Sequence, residues 1–440
     1  MMTAQKDIPH WYKQAIWLYV VFLIFEGALR KWILPGLATP LLLIREPIVI
    51  ILTLIAFNRG LIKVPYVFVL VTVSTVSFLL SITIGHQNLG TAIYGWRIYL
   101  LHIPFIFVIG RILDRRDVLQ MGRFILYTSI PMTLLIVAQF FSPQSAWVNR
   151  GVGGDIEGAG FGGAMGYFRP PGTFSFTAGY VVYQLIVAVF LFYYLVANRL
   201  LSKKDQIRPW LLYIMLACYV LTIPYSISRS HLFQTIVVVA FMFVGILLHP
   251  VSHVRIRLFK ILPIVIFSLG AITWMGIAGA SLEAFQERFE SANETEGGIE
   301  GVVGNRYFGS LIRGLVNGDT PFFGHGLGLG TNVGAQLAGG ADGIFSFFNG
   351  EEEWGRITNE SGLLLGWTLI ALRLYLAGWI FLKAFKHLRQ NKDMLPWMLT
   401  IGTLLILPQG NLGIPTNLGF IVLSSGLSLA SLRSYKRRKV

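Results

Sequence analysis

Long apolar runs dominate the sequence, and short polar segments separate them. A helix that crosses a bilayer needs about 20 consecutive apolar residues. By this criterion the sequence predicts about twelve membrane-spanning helices. They lie near residues 12–33, 40–57, 64–84, 91–111, 118–141, 172–197, 210–227, 230–249, 259–280, 361–384, 395–409 and 411–432. We therefore expect an all-α polytopic membrane protein.

One long polar stretch, residues 281–358, interrupts this pattern. It carries eleven acidic and four basic residues, whereas the whole chain has a formal net charge of +15. Within it, residues 305–313 have the apolar spacing of a short amphipathic helix. We expect three regions: 1–280 with nine spans and a glycine-rich outer loop at 142–171, a large and partly helical loop at 281–358, and 359–440 with three spans and a basic tail.

Composition excludes several classes of protein. Hydrophobic residues make up 54% of the chain and charged residues 13%, against about 25% charged in soluble domains. The basic residues occur in short clusters between apolar runs, which argues against a nucleic-acid-binding face. The single cysteine, Cys218, excludes an intrachain disulfide and a cysteine metal cluster. Residues 1–13 lack the features of a cleavable signal peptide, so the first span should remain as an anchor.

The basic clusters also predict the orientation of the chain. Loops that face the cytoplasm are enriched in Lys and Arg. One set of alternate loops, with the tail, carries most of these residues: Arg59, Lys63, Arg111, Arg115, Arg116, Arg199, Lys203, Lys204, Arg208, Arg255, Arg257, Lys260, Lys383, Lys386, Arg389, Lys392, Arg433, Lys436, Arg437, Arg438 and Lys439. We therefore expect both termini in the cytoplasm and the loops at 142–171 and 281–358 outside it.

Two glycine-rich segments could suggest nucleotide binding. The loop at 142–171 has no following Gly-Lys-Ser/Thr, and the run 324–330 follows no convincing strand. We interpret the first as a flexible outer loop and the second as a turn-rich segment.

Charged residues within the apolar runs are costly and require a reason. Glu26 and Arg30 are four residues apart and can pair on one helix face. Arg45 and Glu46 are adjacent, so they point apart and need separate partners. Their role is open between interhelical ion pairs and ligand binding. Arg97 lies near the outer end of its span, where it either reaches the interface or binds an anionic head group.

Two further arginines lie where outer segments meet the membrane. Arg169 precedes two prolines and Gly172, which together delay the start of the next helix. Arg229 follows a very short turn between two spans. Arginine binds phosphate through a bidentate fork, so this pair could clamp a phosphate or pyrophosphate. The alternative is ordinary anchoring to lipid phosphate.

Acidic residues in the large loop are candidates for proton transfer. Glu351, Glu352 and Glu353 lie close to the next span, and one of them could act as a general base.

Four segments in this order resemble the O-antigen ligase and Wzy polymerase superfamily of bacterial glycosyltransferases. They are the motif Arg169–Phe174 (RPPGTF), Ser228–Ser230 (SRS), Arg306 before Pro321–Gly328 (PFFGHGLG), and Asn359–Gly362 (NESG). The resemblance covers most of the chain from Arg169 onward. It implies a glycosyltransferase of the bacterial inner membrane that needs no metal or other cofactor and takes its glycan from undecaprenyl pyrophosphate.

The resemblance also implies roles for individual residues. Arg169, Arg229 and Arg306 would bind the donor pyrophosphate, and Arg97 and Arg313 are further candidates. In the ligases a loop histidine near the return to the membrane acts on the acceptor hydroxyl. Here no histidine lies between His325 and the span that begins at 361. This departure favours a polymerase that joins repeat units, with Glu351, Glu352, Glu353 or His325 as the catalytic base.

Three hypotheses follow for the function. The first is a polysaccharide polymerase, for O-antigen or exopolysaccharide, with a chain-length-regulating membrane protein as a candidate partner. The second is an O-antigen ligase. The third, of another class, is a transporter or flippase for lipid-linked glycans. A transporter should carry charges deep in several spans and needs no large outer loop.

Overall fold

The computed structural model describes residues 9–62, 64–248, 279–296, 320–337 and 353–433. The segment 305–313 and nearly all of the span expected at 259–280 lie outside these ranges. Two short strands, β1 (Phe161–Gly162) and β2 (Phe168–Arg169), pair antiparallel. The helices are α1 (His10–Ala28), α2 (Ala38–Leu41), α3 (Glu46–Asn58), α4 (Pro65–Thr83), α5 (Leu89–Arg97), α6 (Ile103–Ile112), α7 (Arg115–Phe141), α8 (Thr177–Ala197), α9 (Pro209–Tyr225), α10 (Arg229–Leu248), α11 (Gly279–Glu296), α12 (Asn332–Leu337), α13 (Glu353–Asn391), α14 (Met394–Ile406) and α15 (Pro415–Ser431).

Local sequence explains where several helices begin. The side chain of Asp114 accepts hydrogen bonds from the backbone N–H groups of Arg116 and Asp117, and so caps the start of α7. Helices α4, α9 and α15 each start with a proline, whose missing N–H group needs no partner in the first turn.

Apolar helices long enough to cross a bilayer make up about half of the described chain. Seven segments of the described ranges meet the requirements of length and composition: Pro35–Asn58, Pro65–Thr83, Leu89–Ile112, Arg115–Phe141, Thr177–Leu200, Arg229–Leu248 and Glu353–Asn391. Helices α1, α9, α14 and α15 lie at four more of the positions that the hydrophobic pattern predicted. The protein is thus an all-α membrane protein.

The outer faces of several helices are apolar. Leu54 on α3, Phe68 on α4, Leu247 on α10 and Leu382 on α13 are all exposed. A soluble protein rarely exposes apolar side chains over so wide an area. These faces are therefore suited to contact with lipid.

Helices α8 and α15 form the centre of the bundle. Nearly every residue of both helices is buried, and α15 packs against α6, α8 and α14. Small residues allow this close packing: a Cβ atom at Gly426 of α15 would lie 2.7 Å from Cβ of Ile109 on α6.

One end of the bundle, here called the basic end, joins segments that are distant in sequence through ion pairs. Lys13 at the start of α1 pairs with Asp117 of α7, and Arg115 pairs with Asp393 before α14. Arg433, just after α15, donates to the carbonyl oxygen of Leu113 at 3.1 Å.

The opposite end, here called the network end, contains the glycine-rich segment. This segment has a defined conformation. The Asn149 side chain donates to three backbone carbonyls, and Trp147 stacks on Trp32. Gly154 packs against Pro35, and Gly163 packs against Ile227. The sequence pattern did not identify these tertiary contacts.

The packing of α15 on α6 predicts opposite effects for two glycine-to-alanine substitutions. G426A should lower the free energy of unfolding by about 1–3 kcal/mol, because the new methyl group meets Ile109. G378A on α13 should leave stability unchanged or raise it by up to about 1 kcal/mol, because a Cβ atom there meets nothing. Denaturation of the purified protein in detergent measures both; equal effects would contradict this packing.

Candidate functional site

An ion-pair network begins at the end of α1. The helix continues through a π-helical turn, Leu29–Ile33, that carries Arg30 and Lys31. Arg30 Nη1 lies 3.4 Å from Glu26 Oε1, which confirms the pair expected from their spacing. Glu26 Oε2 accepts a 3.0 Å hydrogen bond from Nε of Arg45. Glu26 and Arg45 are both buried, so their pairing offsets the cost of removing two charges from water.

Adjacent residues Arg45 and Glu46 have separate partners, as expected. Arg45 also donates to the carbonyl oxygen of Pro415 at 3.0 Å. Glu46 contacts Arg97 Nη1 at 2.5 Å and His102 Nε2 at 3.0 Å. The dipeptide therefore connects the end of α1 to the junction between α5 and α6.

Arg97 is held within the protein. Its guanidinium lies 3.8 Å from the ring centroid of Tyr94, and its Nη1 is 2.9 Å from His102 Nε2. The sequence pattern placed Arg97 at the interface or against an anionic head group. It did not predict Glu46 as the partner of Arg97. That partner lies in another helix, so residue spacing carries no signal for it.

The network carries more positive than negative charge. Its three arginines, Arg30, Arg45 and Arg97, pair with only two carboxylates, Glu26 and Glu46. Excess positive charge with little water around it raises the local potential and attracts anions.

The loop between β2 and α8 is fixed from two sides. Lys31 Nζ donates to the carbonyl oxygens of Gly172 and Phe174 at 2.6 and 2.9 Å. Gln139 of α7 bonds both the N–H and the C=O group of Gly172. Gly172 has a φ of +61°, a conformation that favours glycine. The segment Glu26–Lys31 and the RPPGTF motif therefore form one structural unit.

Arg169 lies in the hairpin formed by β1 and β2, and the turn before Arg229 packs against this hairpin. Arg169 belongs to β2, and its guanidinium lies 4.6 Å from the ring centroid of Phe161. Arg229 begins α10, and Ile227 in the preceding turn packs against Gly163 of the hairpin. The hairpin thus brings the RPPGTF and SRS segments to the same end of the bundle.

The PFFGHGLG segment packs against the NESG segment. His325 N–H donates to the carbonyl oxygen of Asn359 at 2.7 Å, and Gly326 N–H donates to that of Glu360 at 2.9 Å. Gly324 and Gly362 both have positive φ and approach so closely that a Cβ atom at either would meet backbone. These contacts hold His325 beside the kink of α13 at Gly362.

His325 has the properties of a proton acceptor. Its side chain is exposed, but the surrounding protein removes some of its water, and this lowers the pKa of His325 below its usual value. The imidazole is therefore neutral at pH 7, the form that accepts a proton.

Glu353 is held by two guanidiniums. Arg356 Nε lies 2.8 Å from Glu353 Oε2, and Arg373 Nη1 lies 2.6 Å from Glu353 Oε1. Arg356 also pairs with Glu360, which accepts a bond from the N–H group of Gly330. All four charged side chains are buried. This group has no net charge and holds the start of α13 against the glycine-rich run 324–330. Its function is therefore structural.

The turn before α15 connects the two networks. Pro415 accepts the bond from Arg45, and Gly413 packs against Gly330. Thr416 packs against Gly179 in the first turn of α8. The clusters around Glu26 and around Glu353 therefore lie at the same end of the bundle.

Four of the candidate residues lie outside the described ranges: Arg306, Arg313, Glu351 and Glu352. Within those ranges, no group of three or more His, Cys, Asp or Glu side chains is arranged to hold a metal ion. Neither the protein-family models nor the curated proteins compared with this chain match it. The resemblance to the O-antigen ligase and Wzy superfamily therefore rests on the motifs alone.

The buried group around Glu353 leads to a stability prediction. E353Q should cost about 3–5 kcal/mol of unfolding free energy, because it leaves two buried guanidiniums without their shared carboxylate. E287Q, on an exposed position of α11, should change stability by no more than about 0.5 kcal/mol. Denaturation in detergent tests both. An E353Q protein of normal stability that lacks activity would instead support Glu353 as the catalytic base.

Proposed function

We propose that this protein is a polysaccharide polymerase. It joins repeat units carried on undecaprenyl pyrophosphate, by metal-independent glycosyl transfer at the outer face of the bacterial inner membrane. One observation carries the proposal. Motif segments that are far apart in sequence lie together at the network end, next to a cluster with excess positive charge.

The proposed topology has twelve spans, both termini in the cytoplasm and the loop 281–358 in the periplasm. The grouping of loops in space supports it. Segments near Lys13, Arg115 and Arg433 meet at the basic end, and cytoplasmic loops are rich in basic residues. The network end would then face the periplasm, where lipid-linked repeat units are joined.

In the proposed reaction, a hydroxyl oxygen of the acceptor glycan attacks the anomeric carbon of the donor sugar. The bond from that carbon to the pyrophosphate oxygen breaks, and undecaprenyl pyrophosphate leaves with the bonding electrons. Arg169 and Arg229, with Arg306 and Arg313, bind the pyrophosphate and stabilise its added charge. Arg97, held by Glu46, adds to the positive potential.

His325 fits the role of base better than Glu353. A base must reach the acceptor hydroxyl, and Glu353 is enclosed by Arg356 and Arg373. His325 is neutral and lies in the loop that contacts Asn359. Glu351 and Glu352 remain candidates.

The position of His325 also favours a second candidate function, that of an O-antigen ligase. The resemblance implied a histidine near the return to the membrane, and the sequence placed none there. Through its bond to Asn359, His325 lies beside the kink of α13 at Gly362. A ligase would use the same donor site with a different acceptor.

The pyrophosphate clamp is tested by substitution. R169A and R229A should each abolish long-chain polysaccharide while the protein remains in the membrane, because the leaving group loses its bidentate partner. R208A removes an exposed arginine from the other set of loops and should leave chain length normal. Gel analysis of the glycan and immunoblotting of membranes measure the two outcomes. Chains of normal length and amount in R169A would remove that arginine from the clamp.

A deletion strain distinguishes the proposed function from its alternatives. We expect loss of polymer with single repeat units retained. Polymer that accumulates on the undecaprenyl carrier would instead identify a ligase. Single repeat units that accumulate on the cytoplasmic face would identify a flippase, and unchanged polymer would contradict all three. Glycan chain-length analysis, with protease or lectin access to the carrier, measures these outcomes.

A further inference from the structure

Lys31 is a buried lysine that no described carboxylate neutralises. Only 1% of its surface is exposed. Its ammonium group donates to the carbonyl oxygens of Gly172 and Phe174 and lies 4.5 Å from the ring centroid of Trp32. Burial of an ammonium group is costly unless it is hydrogen-bonded. An apolar residue would fill the same space at lower cost, so the hydrogen bonds to the loop are the reason for a lysine.

The end of α1 and the π-helical turn that follows it contact the loop before α8 at three more places. Thr173 Oγ1 donates to the carbonyl oxygen of Ile24 at 2.6 Å, and Arg30 Nη1 donates to Oγ of Ser175 at 3.1 Å. A Cβ atom at Gly27 would clash with the carbonyl oxygen of Thr173. Only glycine permits this approach of the helix to the loop.

The held segment is directly connected to Arg169. Pro170 and Pro171 alone separate Arg169 from Gly172. Each proline ring restricts φ to about −65°, so this connection has little freedom. The position of Arg169 therefore follows from the position of the Gly172 backbone, which Lys31 and Gln139 determine.

The geometry points to Lys31 as a positioning residue for the binding of pyrophosphate. Lys31 fixes residues 172–174, and through Pro170 and Pro171 it fixes Arg169 in the orientation that binds the anion. This inference rests on the proposed function, because it takes Arg169 as the binding group. It gives the N-terminal motif Glu26–Lys31 a role within the donor site.

Binding of inorganic pyrophosphate to the full-length protein in nanodiscs tests this role. K31M keeps the apolar stem of the side chain and removes its hydrogen bonds. We expect K31M to weaken pyrophosphate binding about tenfold, a loss of about 1.4 kcal/mol. K13M is the matched control: it makes the same change on the same helix at the basic end, where Lys13 pairs with Asp114 and Asp117. It should bind normally.

A double-mutant cycle separates positioning from a direct effect of charge. If Lys31 acts through Arg169, the double variant K31M/R169A should bind pyrophosphate no more weakly than R169A alone. Additive losses would show that the ammonium acts by its own charge, and would overturn the positioning role.

The remaining outcomes distinguish this inference from the proposed function. Weak binding by R169A with normal binding by K31M would contradict the role of Lys31 and leave the clamp intact. Normal binding by R169A would remove the clamp itself. If K31M does not fold, T173V tests the same connection, because it removes the hydroxyl that bonds Ile24. T173V should then weaken binding only when Arg169 is present, and normal binding by T173V would overturn the inference.

Discussion

Charged groups buried between apolar helices must find their partners within the protein, and this requirement shapes the network end of the bundle. Arg45 bonds Glu26 and Pro415, while its neighbour Glu46 binds Arg97 and His102. Each pair joins two different helices or their ends. An ion pair that lost one member would leave an uncompensated charge away from water, so the helices depend on one another for their positions.

Irregular helical turns allow this arrangement. A π-helical turn occurs at Leu29–Ile33 and another at Ile98–His102, each adjacent to members of the charged network. An extra residue per turn shifts the helix register, and such turns are frequent at functional sites. The first lets Arg30 and Lys31, although adjacent, both bond the loop before α8. The π-helical turns thus carry or adjoin the buried charged side chains of the network.

Much of the local structure could be predicted from the chain alone. The positions of α3 to α8 and of α13 followed from the apolar runs, and the pair between Glu26 and Arg30 followed from their spacing. The partners of Glu353 could not be predicted in full. Arg356 lies one turn from Glu353 on the same helix. Arg373 lies 20 residues from Glu353 along α13, which is kinked at Gly362, and it also donates to the carbonyl oxygen of Leu407. Residue spacing does not predict that contact.

A membrane-spanning helix satisfies its backbone hydrogen bonds within its own segment, and its apolar residues are continuous in the sequence. The class of protein and the positions of most of its helices could therefore be inferred without coordinates. Only the tertiary structure showed which charged side chains pair. It also showed that Lys31 bonds the backbone of the RPPGTF motif. The turn at Gly413–Thr416 connects both networks, although its own sequence carries no charge. Ion pairs and close backbone contacts depend on the distance between residues in space. For residues in different helices, their separation in the sequence does not predict that distance.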